Sequence, residues 1–254
     1  MRKILGICLL ISSIGMIAWS GLNAYSLFMK YKEGRDSYQE AEKYVEVQVQ
    51  NQEEIPDRAE EENISEKLTA PISVNLEELK KRNPDVKGWI YIESIDLSYP
   101  ILQGTDNEYY LTHSWDKQEI FAASIFMDYR NRPDFRDYNT VIYGHNMKDG
   151  SMFHNIQYCM EQEHYEKSPY IWVLTSEGDY QYEIFSEYDT RYDSDTYTLF
   201  WEPGEKLTEY IRKMQGLSLW ESRVQLGETE HILTLSTCNG EHDLRRIVQA
   251  KRVS

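Results

Sequence analysis

The chain is poor in cysteine, poor in positive charge and holds only one long apolar run, and each shortage excludes a class of protein. Three scattered cysteines in 254 residues cannot make the framework of a disulfide-stapled miniprotein. Lys and Arg number 27 against 43 Asp and Glu, a formal net charge of −16, so the clustered cations of a nucleic-acid binder are absent and no nucleic-acid partner is expected. A single apolar run excludes a polytopic membrane protein. There is no C-x-x-C, no H-E-x-x-H, no P-loop and no G-x-S-x-G elbow, which argues against zinc, phosphate-loop and serine-elbow chemistry. What is present is apolar and aromatic: 41% hydrophobic residues, with 20 Tyr and 6 Trp, is too much for a disordered chain.

The charge is unevenly spread. Residues 1–31 carry +3, 32–67 carry −7 and 68–254 carry −12. Residues 4–29 have no charged side chain. At about 1.5 Å rise per residue, roughly 20 helical residues span a bilayer core. An N-terminal transmembrane helix is therefore expected over 1–31, with Arg2 and Lys3 favouring a cytoplasmic N-terminus. Ala18-Trp19-Ser20 resembles a signal-peptide cleavage site, but the uncharged stretch continues past it to Met29, which favours an uncleaved anchor. Residues 32–67, with no Trp, Phe or Cys, read as a solvated acidic stalk, partly helical over 35–50. Residues 68–254 are expected to be the folded domain, outside the cytoplasm.

That domain reads as mostly β with inserted helices. Asn75 can cap a short helix that Asn83-Pro84 ends, with Leu76 and Leu79 supplying its apolar contacts. Eight β-type runs follow, at 88–92, 97–102, 124–128, 139–143, 170–175, 180–190, 231–238 and 245–253. Two helices are expected between them, at 151–166 and 203–215, from apolar residues at three- and four-residue spacing. Strands this short and this many suggest a closed or nearly closed barrel, which removes exposed edges.

The chemistry-bearing residues sort by position. Cys8 lies in the apolar N-terminal run, and Cys159 sits beside Met160 in a helical pattern, where a small hydrophobe packs. Cys238 instead ends the run Ile232–Cys238 and is followed at once by Asn239-Gly240, a turn signal. A cysteine at a strand end is held by the scaffold yet opens onto a loop, which suits a nucleophile. A thiol nucleophile needs a partner base. His145 follows the apolar run Val141-Ile142-Tyr143-Gly144 and opens a loop, so it and Cys238 are the one pair at strand ends, while His242, four residues past Cys238, stays open on proximity alone. His231 begins the strand that Cys238 ends and is seven extended steps away. His113, His154 and His164 lie in polar or helical surroundings. His231, Cys238 and His242 form H-x6-C-x3-H, which is no recognised zinc spacing, so neither metal nor cofactor is expected. Acyl transfer to a thiol passes through an oxyanion that donors or a cation must stabilise. Arg245 and Arg246 open the next strand and point to opposite faces, so only one of them can face Cys238 across a hairpin.

Thr234-Leu235-Ser236-Thr237-Cys238, followed by Arg245-Arg246-Ile247-Val248-Gln249-Ala250-Lys251, resembles the active-site block of sortases. Val141-Ile142-Tyr143-Gly144-His145-Asn146-Met147 resembles their histidine motif. The Leu-Ser-Thr-Cys form and the helix before the last two strands resemble class B members. The resemblance runs from about Leu76 to Val253. It implies a closed eight-stranded sortase-type β-barrel and a cysteine transpeptidase of Gram-positive bacteria. Such an enzyme cleaves a C-terminal sorting signal after Thr, forms a thioacyl-enzyme and passes the acyl group to an amine. Its partners would be surface proteins bearing N-P-x-T-N-like or P-x-T-G-like signals, and a peptidoglycan-precursor (lipid II-like) amine or, in pilus-building members, a pilin lysine. A catalytically idle tethered binding domain is the alternative from another class.

Carried over, the resemblance makes Cys238 the nucleophile, His145 the general acid/base and, by register, Arg245 rather than Arg246 the family arginine; Ser236 matches a position near the substrate. Where some members carry an acidic residue shortly after the cysteine, Asn239-Gly240 stand here, with Glu241 and Asp243 beyond. Arg245 would favour the thiolate and oppose the imidazolium, the two forms that productive attack needs together.

Overall fold

The computed structural model describes residues 2–48 and 69–253, except the side chains of 2–5 and 7–9. In chain order the elements are α1 (Arg2–Glu42), β1 (Val45–Val47), β2 (Ile72–Val74), α2 (Leu76–Arg82), β3 (Val86–Ile92), β4 (Leu97–Leu102), β5 (Ile125–Met127), β6 (Asn139–Tyr143), α3 (Gln162–Lys167), β7 (Tyr170–Thr175), β8 (Asp179–Arg191), α4 (Glu205–Gly216), β9 (Ile232–Cys238) and β10 (Leu244–Arg252), with short 3₁₀ turns between them. Eight strands close into a barrel in the order β10-β8-β7-β3-β4-β5-β6-β9. The β4–β5 and β6–β9 pairs are parallel and the rest are antiparallel. The expected barrel is present, and each expected strand lies within two residues of its place. The cap of α2 is also as expected: Asn75 Oδ1 accepts the Glu78 amide at 3.2 Å.

Two apolar clusters bury β9 on both of its faces. Its Leu233 and Leu235 join the barrel interior, while Ile232 joins a second cluster on the outer face. There α4 lays Leu207, Tyr210, Ile211 and Met214, spaced as one helical face, against Phe185, Tyr188 and Ile247. A polar layer ties the β8–β9 connection to this outer face. Asn139 donates to the carbonyls of Thr196 (3.0 Å) and Thr198 (2.9 Å), Thr234 donates to Asn139 (2.7 Å), and Gln249 donates to Tyr210 (2.8 Å). Apart from Thr198 these residues are buried, so each buried bond removes a desolvation penalty of roughly 1–3 kcal/mol.

Three expectations need correction. The transmembrane helix expected over 1–31 is not supported: α1 is continuous, but among the described residues no helix is long and apolar enough to cross a membrane. Ser12, Ser13, Ser20, Gly21 and Asn23 dilute the uncharged stretch, and Ser13 and Asn23 bond back to the carbonyls of Leu10 and Trp19. The solvated stalk expected over 32–67 begins instead as a packed element, and its residues 49–67 lie outside the described residues. Tyr38 and Ala41 of α1 are buried against the barrel, Tyr38 donates to the Ala123 carbonyl, and Gly34 approaches so closely that an added Cβ would meet Ala122 Cβ at 2.7 Å. The small and apolar residues 34, 38 and 41 form one helical stripe that the high charge of the segment conceals. The helix expected over 151–166 is a 3₁₀ turn, His154–Tyr158, followed by the short α3. Phe153, Ile156 and Cys159 are all buried and three residues apart, which is the 3₁₀ repeat, and Cys159 N donates to the Ile156 carbonyl at 3.2 Å. Cys8 falls among the side chains outside the description.

Candidate active site

Parallel pairing of β6 with β9 places Tyr143 opposite Ser236, and the Gly144 amide donates to the Ser236 carbonyl at 3.1 Å. His145 and Cys238 each lie two residues beyond that rung, so the ladder delivers both to the same end of neighbouring strands. On the other side of β9, antiparallel pairing puts Arg245 directly opposite Cys238. Three adjacent strands thus bring Cys238, His145 and Arg245 into one cleft of about 370 Å³. Cys238 is exposed, whereas Cys159 is fully buried and its thiol is pushed far up by burial.

Gly144 is needed for this arrangement. A Cβ there would meet two ring atoms of Phe153 at 2.7 Å, and the Phe153 amide donates to the His145 carbonyl at 2.9 Å. His145 Nε2 lies 2.9 Å from the Leu111 carbonyl. A carbonyl can only accept, so Nε2 carries the hydrogen and Nδ1 is the nitrogen left with a lone pair in the neutral ring. Leu111 ends a 3₁₀ turn, Tyr109–Leu111, and a main-chain oxygen at that distance in sequence leaves no signature from which sequence reasoning could find it.

Arg245 is held by its own hairpin. One Nη donates to the carbonyls of His242 (3.2 Å) and Leu244 (2.9 Å), and the guanidinium lies 5.9 Å from the Tyr192 ring centroid. Among the described residues it makes no ion pair, so its charge is available to the cleft. Arg246 points to the barrel side and is used up there. It pairs with Glu187 at 2.6 Å and, through two nitrogens, with Asp189 at 2.6 and 3.1 Å. The alternation of β10 therefore assigns the cleft to Arg245.

Other residues form the walls. Ser236 reaches the cleft, but it is only 2% exposed and its hydroxyl is bonded to the Tyr197 hydroxyl at 2.9 Å. Tyr197 and Tyr192, from the β8–β9 connection, and Asn107 line the cleft as well; the sequence reading did not single them out. Beneath them Asp128 is fully buried. Burial pushes its carboxyl up, but the paired bonds from Arg130 (2.9 and 2.8 Å) with those from Tyr143 and Asn107 prevail and hold it below the ordinary range. This charged anchor fixes Tyr143 and Asn107 in the wall. Among the described residues no carboxylate lines the cleft. Asp243 pairs with the fully exposed His242 at 2.9 Å on the hairpin tip, so neither that histidine nor that carboxylate shares the cleft with Cys238. His231 stacks on Tyr138 at the far end of β9. Among the described residues no group of three His, Cys, Asp or Glu side chains is arranged to hold a metal ion.

Comparison with known proteins identifies the family. A sortase-domain family model matches residues 90–253. Sortase B of Listeria monocytogenes is 37% identical over 182 residues, which is 70% of this chain and 74% of that protein. A Staphylococcus aureus sortase B–substrate complex superposes with TM-score 0.66 at 32% identity, covering 70% of this chain and 84% of that one. Sortase B from B. anthracis in complex with AAEK1 gives TM-score 0.71 at 28% identity, covering 89% of this chain and 99% of that one. The chain therefore belongs to the sortase family, and within it to the class B sortases.

Proposed function

We propose that this protein is a cysteine transpeptidase that cuts a C-terminal sorting signal after its Thr and transfers the protein to an amine of a cell-wall precursor. The observation that carries the reading is the convergence of Cys238, His145 and Arg245 in one cleft at the ends of β6, β9 and β10. The sortase B relatives, one of them bound to substrate, support a peptide as the ligand of that cleft.

The residues perform the reaction as follows. The Cys238 thiolate attacks the Thr carbonyl carbon, forming a C–S bond and a tetrahedral oxyanion. Arg245 supplies positive charge and free N–H donors to the developing oxygen charge. Collapse breaks the C–N bond, and the leaving amine takes a proton from the His145 imidazolium. The acceptor amine then attacks the thioester carbon and gives its proton to His145. A new C–N bond forms, the C–S bond breaks and the thiolate is restored. The Leu111 carbonyl holds Nε2–H, so Nδ1 is the nitrogen that exchanges the proton. Water in place of the amine yields hydrolysis as a side reaction. Action on such substrates requires the catalytic domain to work at the cell surface.

The test is cleavage of a sorting-signal peptide with and without an amine acceptor. The Cys238→Ala protein is expected to cleave nothing, and the Cys159→Ala protein to keep most of the activity. Substantial turnover by Cys238→Ala contradicts the assignment. Arg245→Ala is expected to lower kcat by about 10²–10³ with less effect on KM, as removal of an oxyanion donor does; an unchanged kcat removes Arg245 from the mechanism.

A further inference from the structure

The residue after the histidine has its own place in the site. Asn146 Nδ2 donates to the Cys238 main-chain carbonyl at 2.7 Å, and Asn146 Oδ1 lies 2.7 Å from His154 Nδ1. The Cys238 carbonyl can only accept, which fixes the amide: its nitrogen faces Cys238 and its oxygen faces His154. His154 Nδ1 must then carry the hydrogen. The chain His154 Nδ1–H to Asn146 to the Cys238 carbonyl thus crosses from the loop after β6 to the end of β9.

This bond sits where the sheet would have made one. In the parallel β6–β9 ladder the Gly144 amide donates to the Ser236 carbonyl, so the next rung would run from residue 146 to the carbonyl of 238. The main chain has turned away by then, with Asn146 bridged to Met152. The side-chain amide fills the vacant rung. The ladder is thereby held for one more step while the backbone of His145 leaves the strand and its ring enters the cleft. A free strand end carrying an exposed thiol would otherwise fray.

We infer that Asn146 is a positioning residue that sets the separation of Cys238 from His145, with His154 locking the orientation of its amide. The inference rests on the function proposed above for those two residues. A misplacement on the order of 1 Å costs up to about 10²-fold in rate.

The experiment compares full-length wild type with Asn146→Ala, Asn146→Asp and His154→Phe. It measures kcat and KM on a sorting-signal peptide, the rate of Cys238 alkylation by iodoacetamide from pH 5 to 9, and the unfolding midpoint. Asn146→Asp is nearly isosteric and can still accept from His154, but it cannot donate to the Cys238 carbonyl. A merely structural link between residues 146 and 154 would survive this change. The expected result is a kcat at least about tenfold lower in both Asn146 variants. KM is expected to stay within about twofold, with an altered pH profile of alkylation and a smaller kcat loss in His154→Phe. A folded Asn146→Asp protein with wild-type kcat and wild-type alkylation overturns the inference. If wild type cleaves no sorting-signal peptide, the proposed function fails separately, and the alkylation profiles still decide the role of Asn146.

Discussion

At the residue scale, identical side chains are separated by the faces they occupy. Arg245 and Arg246 are neighbours in sequence, yet one lines the cleft and the other binds two carboxylates on the barrel side. Their substitutions should therefore fail differently. Arg246→Ala removes the partner of the buried Glu187, which can then take up a proton, and is expected to cost about 1–3 kcal/mol of stability, as loss of a hydrogen bond to a buried group does. Denaturant unfolding checks this; a loss below about 1 kcal/mol would show that the pair contributes as little as an exposed one. Gly144→Ala places a methyl 2.7 Å from the Phe153 ring and should cost about 1–3 kcal/mol, with reduced turnover because the His145 loop must shift. Wild-type stability and kcat in that variant would mean that the ring moves aside freely.

At the element scale, β8 and β10 enclose a carboxyl that makes stability depend on pH. Burial raises Glu187 from 4.5 to about 7, although Arg246 works against the shift. A carboxyl raised on folding holds, between those two values, a proton that the unfolded chain has released. Its contribution is therefore greatest below pH 4.5, declines as pH rises to about 7 and is flat above that. The decline is on the order of 3 kcal/mol at most. Glu187→Gln is expected to flatten the stability profile between pH 4.5 and 7, read by denaturant titration at several pH values. An unchanged slope would assign that pH dependence to other groups.

Strand positions were legible in the sequence because apolar β-type runs alternate there with turn residues. The strand ends at Cys238, before Asn239-Gly240, and at His145, after Gly144, follow from that punctuation, whereas the roles expected of the two residues follow from the family resemblance. The pair β1–β2 was not legible, since three residues in each strand leave no period to detect. The three-residue spacing of Phe153, Ile156 and Cys159 fits α and 3₁₀ geometry nearly equally over so short a span. Leu111, Asn146 and Tyr197 enter the site through contacts 34, 92 and 39 residues apart in sequence, and no local pattern encodes such distances.

At the scale of the whole molecule, closure of the barrel brings the last two strands, which carry Cys238 and Arg245, beside β6, which leads into His145. The N-terminal helix takes part in this architecture. Its Tyr38 anchors Ala123 and Ser124, Ser37 accepts from Trp115 at 2.9 Å, and Arg35 reaches Asp149 at 3.4 Å. These contacts fall on the segment beyond Leu111 and on the loop beyond His145. Tyr38→Ala should cost about 3 kcal/mol or more, as loss of a buried aromatic does. A neutral result would show that α1 is only loosely docked.

The central claim is that Cys238 carries the acyl group. The most direct measurement is intact-mass spectrometry of the full-length protein incubated with a peptide bearing an N-P-x-T-N-like signal, in the absence of an amine acceptor. The account predicts a mass increase equal to the acyl fragment ending in Thr, released by hydroxylamine, mapped to Cys238 and absent from the Cys238→Ala protein. Cleavage of the peptide with no adduct on Cys238, or with an adduct on another residue in a still active Cys238→Ala protein, would contradict it.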